Sequence, residues 1–118
     1  MRIRALLAAG CWLLAVSGAR GQDAPPIATF GDLAELCART ADAAAQAFCQ
    51  GYIMGSGELY LALRRAEVID RWACADPIPT LDEISKAIVA WAAANPQHAA
   101  DRVVDGLWRA AAAIYPCS

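Results

Sequence analysis

The chain has 118 residues, enough for one small domain, and 58% of them are hydrophobic. It carries ten Lys and Arg against twelve Asp and Glu, for a net charge of −2, and the basic residues form no stripe. This balance argues against a nucleic-acid-binding surface, which needs clustered lysines and arginines.

The first 21 residues have the pattern of a secretory signal peptide. Two arginines precede an unbroken apolar run over residues 5–16, and small residues follow it. Cleavage after Ala19 and cleavage after Gly21 fit equally well, and we take residues 22–118 as the mature domain. The leader carries three of the ten positive charges and no acidic residue, so its removal changes the net charge from −2 to −5. The pattern predicts an exported, periplasmic chain with no membrane segment after signal cleavage.

Four cysteines follow the leader, and none belongs to a CxxC pair typical of zinc or a CxxCH typical of haem. We therefore expect no metal and no cofactor. An even number of cysteines in a small exported domain predicts two disulfides, because so short a chain buries little core. Of the three connectivities we expect Cys37–Cys49, across the reversal between two helices. The second bridge, Cys74–Cys117, then holds the C-terminal tail against a proline-rich loop.

The first half of the mature chain predicts two helices. Residues 29–32, Thr-Phe-Gly-Asp, resemble a capping box and begin a short first helix. A long second helix begins after a cap at Thr40 or Asp42 and runs to about Val68.

The second half predicts two more helices after a proline-containing loop over residues 70–80. Residues 80–83, Thr-Leu-Asp-Glu, form a capping box for the third helix, which Asn95 and Pro96 end. A fourth helix with one apolar stripe ends at Pro116. Since no segment alternates with period two, the chain predicts a compact all-α domain of four helices with two disulfides.

The segment Cys49–Tyr60, CQGYIMGSGELY, is the one around which we expect the fold to be organised. Glycine is disfavoured in helices by roughly 1 kcal/mol relative to alanine, so three glycines here need a compensating reason. Gly51 and Gly55 lie one turn apart, beside Tyr52. We interpret them as a helix-packing surface within the domain, and the alternative interpretation is contact with a partner.

Several of these motifs together resemble the Rap/Tai immunity-protein family. The resemblance rests on Cys37, the CQGYIMG run that begins at Cys49, the helix end WAAANPQH and the closing IYPC. It covers nearly all of the mature chain. The resemblance implies a periplasmic, helical, commonly dimeric inhibitor, which occludes a peptidoglycan amidase delivered by the type VI secretion system. It also implies a protein without chemistry of its own.

The titratable residues agree with a protein that is not an enzyme. His98 is the only histidine, and no cysteine or serine partner for it is identifiable from the sequence. The small helical fold is also similar to that of the HdeA acid chaperones. A periplasmic chaperone or a general periplasmic binding protein is therefore the alternative function, although four cysteines and a single lysine favour inhibition.

Two segments are candidates for contacting the amidase. The loop at residues 95–100 lies between two helices, and a rigid loop loses little entropy when it docks into a groove. Its polar side chains are Asn95, Gln97 and His98. The rival surface is the charged segment 64–72, where Arg71 and Trp72 combine charge with a partly exposed aromatic ring.

Overall fold

The computed structural model describes residues 27–118, and the predicted signal peptide, residues 1–21, lies outside them. The elements in chain order are α1 (Phe30–Ala38), α2 (Ala43–Arg65), α3 (Leu81–Ala94), the 3-10 helix Pro96–His98 and α4 (Val103–Ile114). Within residues 27–118 the only β-type pairing is an isolated bridge between Thr29 and Arg102. The predicted all-α fold of four helices is confirmed.

The shortest α-helix, α1, lies at the centre of the domain. It packs against α2, α3 and α4, and its Phe30 and Leu33 side chains are fully buried. Each surrounding helix contributes an aliphatic side chain to the same core: Ile53 from α2, Ile88 from α3 and Leu107 from α4. The fold is therefore organised around α1 rather than around Cys49–Tyr60, because α2 buries only one side.

Both predicted capping boxes are formed. The Thr29 hydroxyl accepts from the Asp32 N–H at 3.2 Å, and the Asp32 carboxylate accepts from the Thr29 N–H at 2.9 Å. At the start of α3, the Glu83 carboxylate accepts from the Thr80 N–H at 2.7 Å, and the Thr80 hydroxyl accepts from the Glu83 N–H at 3.2 Å. These pairs satisfy N–H groups that have no partner inside the helix, which explains why the local sequence predicts both starts.

The capping carboxylates make the stability of the domain sensitive to acid. The backbone N–H groups of Thr29 and Thr80 lower the pKa of Asp32 and of Glu83, respectively, below the ordinary values. A lowered folded-state pKa contributes stability above the unfolded-state pKa, and this stability is lost as the pH falls through the folded-state pKa. We therefore expect the melting temperature to fall below about pH 4, where free carboxyl groups protonate.

The matched control for this acid sensitivity is the double variant Asp32→Asn, Glu83→Gln, whose amides still accept hydrogen bonds but do not titrate. Its melting temperature should fall less steeply between about pH 5 and pH 2 than that of the unmodified protein. This is the range in which free carboxyl groups, whose pKa values are about 4, become protonated. Identical profiles for the two proteins, measured by circular dichroism, would contradict the prediction.

The structure shows which residue caps the start of α2, and it places the end of this helix earlier than predicted. Asp42, and not Thr40, is the cap, since its carboxylate accepts from the third N–H of the turn at 3.0 Å. The helix ends at Arg65 instead of about Val68. Glu67 adopts a φ of 56°, a left-handed conformation that glycine usually occupies at this position. The chain therefore turns away sharply, at a cost of roughly 1 kcal/mol for the non-glycine residue.

Both predicted disulfides are present. Cys37–Cys49 joins α1 to α2 with a Cα separation of 5.2 Å, and Cys74–Cys117 joins the proline-containing loop to the C-terminal tail with 4.9 Å. The first bridge lies in the core, where the buried Ser85 hydroxyl donates to the Cys49 sulfur at 3.2 Å. The two bridges thus stabilise different parts of the domain, one its centre and the other its edge.

Candidate partner-binding surfaces

The loop between α3 and α4 is held on both sides by hydrogen bonds. The Asn95 side-chain amide donates to the Trp91 carbonyl at 2.8 Å, which closes the end of α3. On the other side, the N–H of Gly31 donates to the carbonyl of Ala99, and that of Phe30 donates to the carbonyl of Asp101, both at 2.9 Å. The central helix therefore supports the loop directly, and the loop is a rigid projection rather than a loose connection.

His98 is half-buried and supports this loop from within. Its ring stacks on Trp91 with the ring centroids 5.5 Å apart. Its Nδ1 lies 2.9 Å from the Asp101 carboxylate, which can only accept, so Nδ1 carries the proton. The same carboxylate accepts from Arg109 at 3.3 Å. Gln97 is exposed, so the loop presents Gln97 to solvent while His98 holds the loop in place.

The charged segment that follows α2 ends at Trp72, which forms an aromatic cluster with Tyr60 and Trp108. Trp72 is half-buried, with its ring centroid 4.5 Å from Tyr60 and 5.3 Å from Trp108. The Trp108 indole N–H donates to the buried Ser56 hydroxyl at 2.6 Å. Ser56 is thus a packing residue of the helix. Arg71 is exposed, so of the two candidate residues in this segment the arginine is fully accessible to a partner and Trp72 is accessible in part.

Helix α4 connects the two candidate segments. His98 contacts Asp101 just before this helix, and Trp72 contacts Trp108 two turns farther along. Between them lies a shallow depression, lined by Asp101, Arg102, Asp105, Trp108, Arg109 and Ala112. The segments that the sequence presents as rivals are therefore two ends of one continuous surface, which we call the α4 strip. The spacing of its residues on α4, with intervals of three and four, is the signal that could have revealed it.

Comparison with known proteins identifies the family. A family model described as Rap1a immunity proteins matches residues 29–117. This chain belongs to that family. No curated protein and no solved structure matches the chain. The matched range begins at the cap of α1 and ends at Cys117, so it includes all four helices and both disulfides. A Rap1a immunity protein binds a partner effector protein, and proteins of this kind are typically not enzymes.

The outer face of α2 in this Rap1a protein corrects the interpretation of its glycines. A Cβ atom built on Gly51 or Gly55 meets nothing within 4 Å. Neither glycine therefore packs against another helix of the domain, and the predicted packing within the domain is wrong for both. Tyr52 is half-buried and stacks on Phe48, with the ring centroids 6.3 Å apart. The alternative interpretation, contact with a partner, stays a prediction.

The described part of this Rap1a protein offers no arrangement of metal ligands. Among residues 27–118, no three His, Cys, Asp or Glu side chains are grouped closely enough to hold a metal ion. No helix within the same residues is both long enough and apolar enough to cross a bilayer. The two disulfides are typical of exported proteins.

Proposed function

We propose that this Rap1a immunity protein is a periplasmic inhibitor that binds and occludes a peptidoglycan amidase effector of a type VI secretion system. The observation that supports it is the rigid loop at residues 95–100, which α1 holds through two backbone hydrogen bonds and which presents Gln97 to solvent. An amidase that cleaves peptide crosslinks has a groove shaped for a peptide. A projection that is already ordered enters such a groove with little loss of entropy.

The loop has the chemistry that a peptide-binding groove accepts. The Gln97 side chain carries an amide group like that of a peptide bond, and within residues 27–118 its one hydrogen bond is a long 3.4 Å contact from Nε2 to the side-chain Oδ1 of Asn95. Its donors and acceptor remain open to a partner. Arg71 and the accessible part of Trp72, at the other end of the α4 strip, extend the surface and add an arginine beside an aromatic ring. Arg and Trp are the residue types that most often dominate interface energies.

The test uses exposed residues at the two ends of the strip, because alanine at the half-buried His98 or Trp72 would also disturb packing. We expect Gln97→Ala and Arg71→Ala each to weaken binding to the cognate peptidoglycan amidase. A residue that dominates an interface contributes about 2 kcal/mol, so the Kd should rise about 30-fold. Calorimetry measures the Kd, and circular dichroism checks the fold.

Lys86→Ala is the matched control, since Lys86 is also exposed, pairs with Asp82 on α3 and is not among the residues that line the strip. Its Kd should equal that of the unmodified protein. If Gln97→Ala binds as tightly as the control, the loop does not enter the groove. If neither strip variant differs from it, or no amidase binds, the inhibitor function itself is wrong.

The outer face of α2 is where we propose that two copies of the protein pair. Phe48 and Leu59 are 41% and 48% exposed, and Gly51 and Gly55 leave a groove between them on the same face. In an antiparallel pair centred after Ile53, each Tyr52 lies opposite Gly55 of the other copy, and each Phe48 lies opposite Leu59. Each Tyr52 thus faces the gap at Gly55, while each Phe48 packs against the apolar Leu59, and the same patch serves both copies as a twofold interface needs.

We expect Gly55→Leu to weaken self-association without lowering the stability of the domain. Leucine fills the groove in the dimer, whereas in the single chain it meets open space and is a better helix former than glycine by roughly 1 kcal/mol. Gly57→Leu is the control, because Gly57 also faces open space but lies on the other flank of α2. Sedimentation should show dissociation for Gly55→Leu alone. Equal behaviour of the two variants would exclude this face.

A further inference from the structure

The two disulfides differ in their access to solvent. Cys37 is 2% exposed and Cys49 is 0% exposed, so a reagent reaches this pair only when the core opens. Cys117 lies exposed at the end of the chain, and Cys74 is half-buried beside it. Since thiol exchange requires a thiolate to reach a sulfur atom, only the second bridge can react while the domain stays folded.

The bridge at Cys117 is also the main attachment of the C-terminal tail. Residues 116–118 make no backbone hydrogen bond to any other described residue. Just before them, the carbonyl of Tyr115 accepts from the N–H of Cys74 at 2.8 Å, at the end of α4. Breaking the bridge therefore leaves one hydrogen bond between the end of α4 and the loop that carries Cys74.

The Cys74 loop in turn carries one end of the α4 strip. Trp72 lies two residues before Cys74, and three weak contacts with the Tyr60 hydroxyl, at 3.3 to 3.5 Å, hold the backbone of this segment. Positive φ at Glu67 begins the same segment. Apart from the packing of Trp72, the segment is mostly exposed and its backbone hydrogen bonds are few and weak, which is typical of segments that open locally before the domain unfolds.

We propose that Cys74–Cys117 is a redox latch, which dithiols open selectively in the folded protein to release the tail and loosen the segment that holds Trp72. In the reaction a dithiol sulfur attacks the Cys117 sulfur, the disulfide bond breaks, and Cys74 leaves as a thiolate. The second sulfur of the dithiol then closes on the first and releases Cys117. Two electrons pass from the dithiol, which becomes a cyclic disulfide, and both cysteines take up a proton.

The test treats the oxidised full chain with dithiothreitol under native conditions, with alkylation and peptide mapping over time. We expect Cys74 and Cys117 to be labelled at least about tenfold faster than Cys37 and Cys49, since access sets the rate. During this first phase the far-ultraviolet circular dichroism should stay constant, while tryptophan emission shifts to longer wavelength as Trp72 and Trp108 separate. Simultaneous labelling of Cys37, Cys49, Cys74 and Cys117, or labelling with loss of helix, overturns the proposal.

The double variant Cys74→Ser, Cys117→Ser separates opening of the latch from unfolding. It should keep the helical signal, show the shifted emission without reductant, and give no further emission change in the first phase. A variant with the helical signal and emission of the oxidised protein would also overturn the proposal, because the bridge would then hold nothing in place. Any effect of the latch on effector binding rests on the proposed function, whereas none of these measurements uses an effector.

Discussion

Gly106→Ala should destabilise the domain by about 3 kcal/mol, the upper end of the range for overpacking. A Cβ at this position in α4 would overlap the Cβ and Cγ of Phe30 and lie 3.0 Å from its Cδ1. Phe30 cannot yield, because its side chain is fully buried in the centre of the core and its Cβ is attached to the α1 backbone. The two helices must therefore separate, which opens contacts throughout the core.

Helix propensity alone predicts the opposite sign, since alanine is favoured over glycine by roughly 1 kcal/mol. The matched control is Gly51→Ala, the same chemical change on a helix where the added methyl group meets open space. Urea denaturation should show a gain in the free energy of unfolding for Gly51→Ala and a loss for Gly106→Ala. A gain in both variants would mean that α1 and α4 do not make this close approach.

Removing the core disulfide by Cys37→Ala, Cys49→Ala should reduce the free energy of unfolding by about 3 to 5 kcal/mol. The bridge closes a loop with a sequence separation of 12, which in the chain-entropy model contributes about 3 kcal/mol by restricting the unfolded chain. Both sulfur atoms are also buried, so their loss leaves a void beside Ser85, whose hydroxyl loses its acceptor.

A loss of this size is a large share of the 5 to 15 kcal/mol that typically stabilises a domain. Urea denaturation of the double variant, compared with the oxidised protein, measures it. The variant with serines at residues 74 and 117 is the comparison, because its bridge lies at the edge of the fold and no core void results. If the core double variant loses less than about 1 kcal/mol, the loop is already restricted in the unfolded chain.

Features that depend on neighbours in sequence could be predicted without a structure. The capping boxes at Thr29 and Thr80 each need two residues three apart, so the sequence contains the complete hydrogen-bonding unit. The same holds for the end of α3 at Asn95. The disulfide pairing was also predictable, because the predicted helix order brings Cys37 near Cys49 and leaves Cys74 for Cys117.

The role of a glycine depends instead on what lies opposite it. The spacing of glycines along their own helix does not encode this. Gly51 and Gly55 have the spacing of a packing surface and yet face open space. Gly106, in contrast, lies against Phe30. The candidate site divides in the same way. Its two segments and Gln97 were identifiable from the sequence. The spacing on α4 indicates a shared helix face, but its contact with the segment after α2 could not be predicted, because the packing of Trp72 on Trp108 joins residues far apart in the sequence.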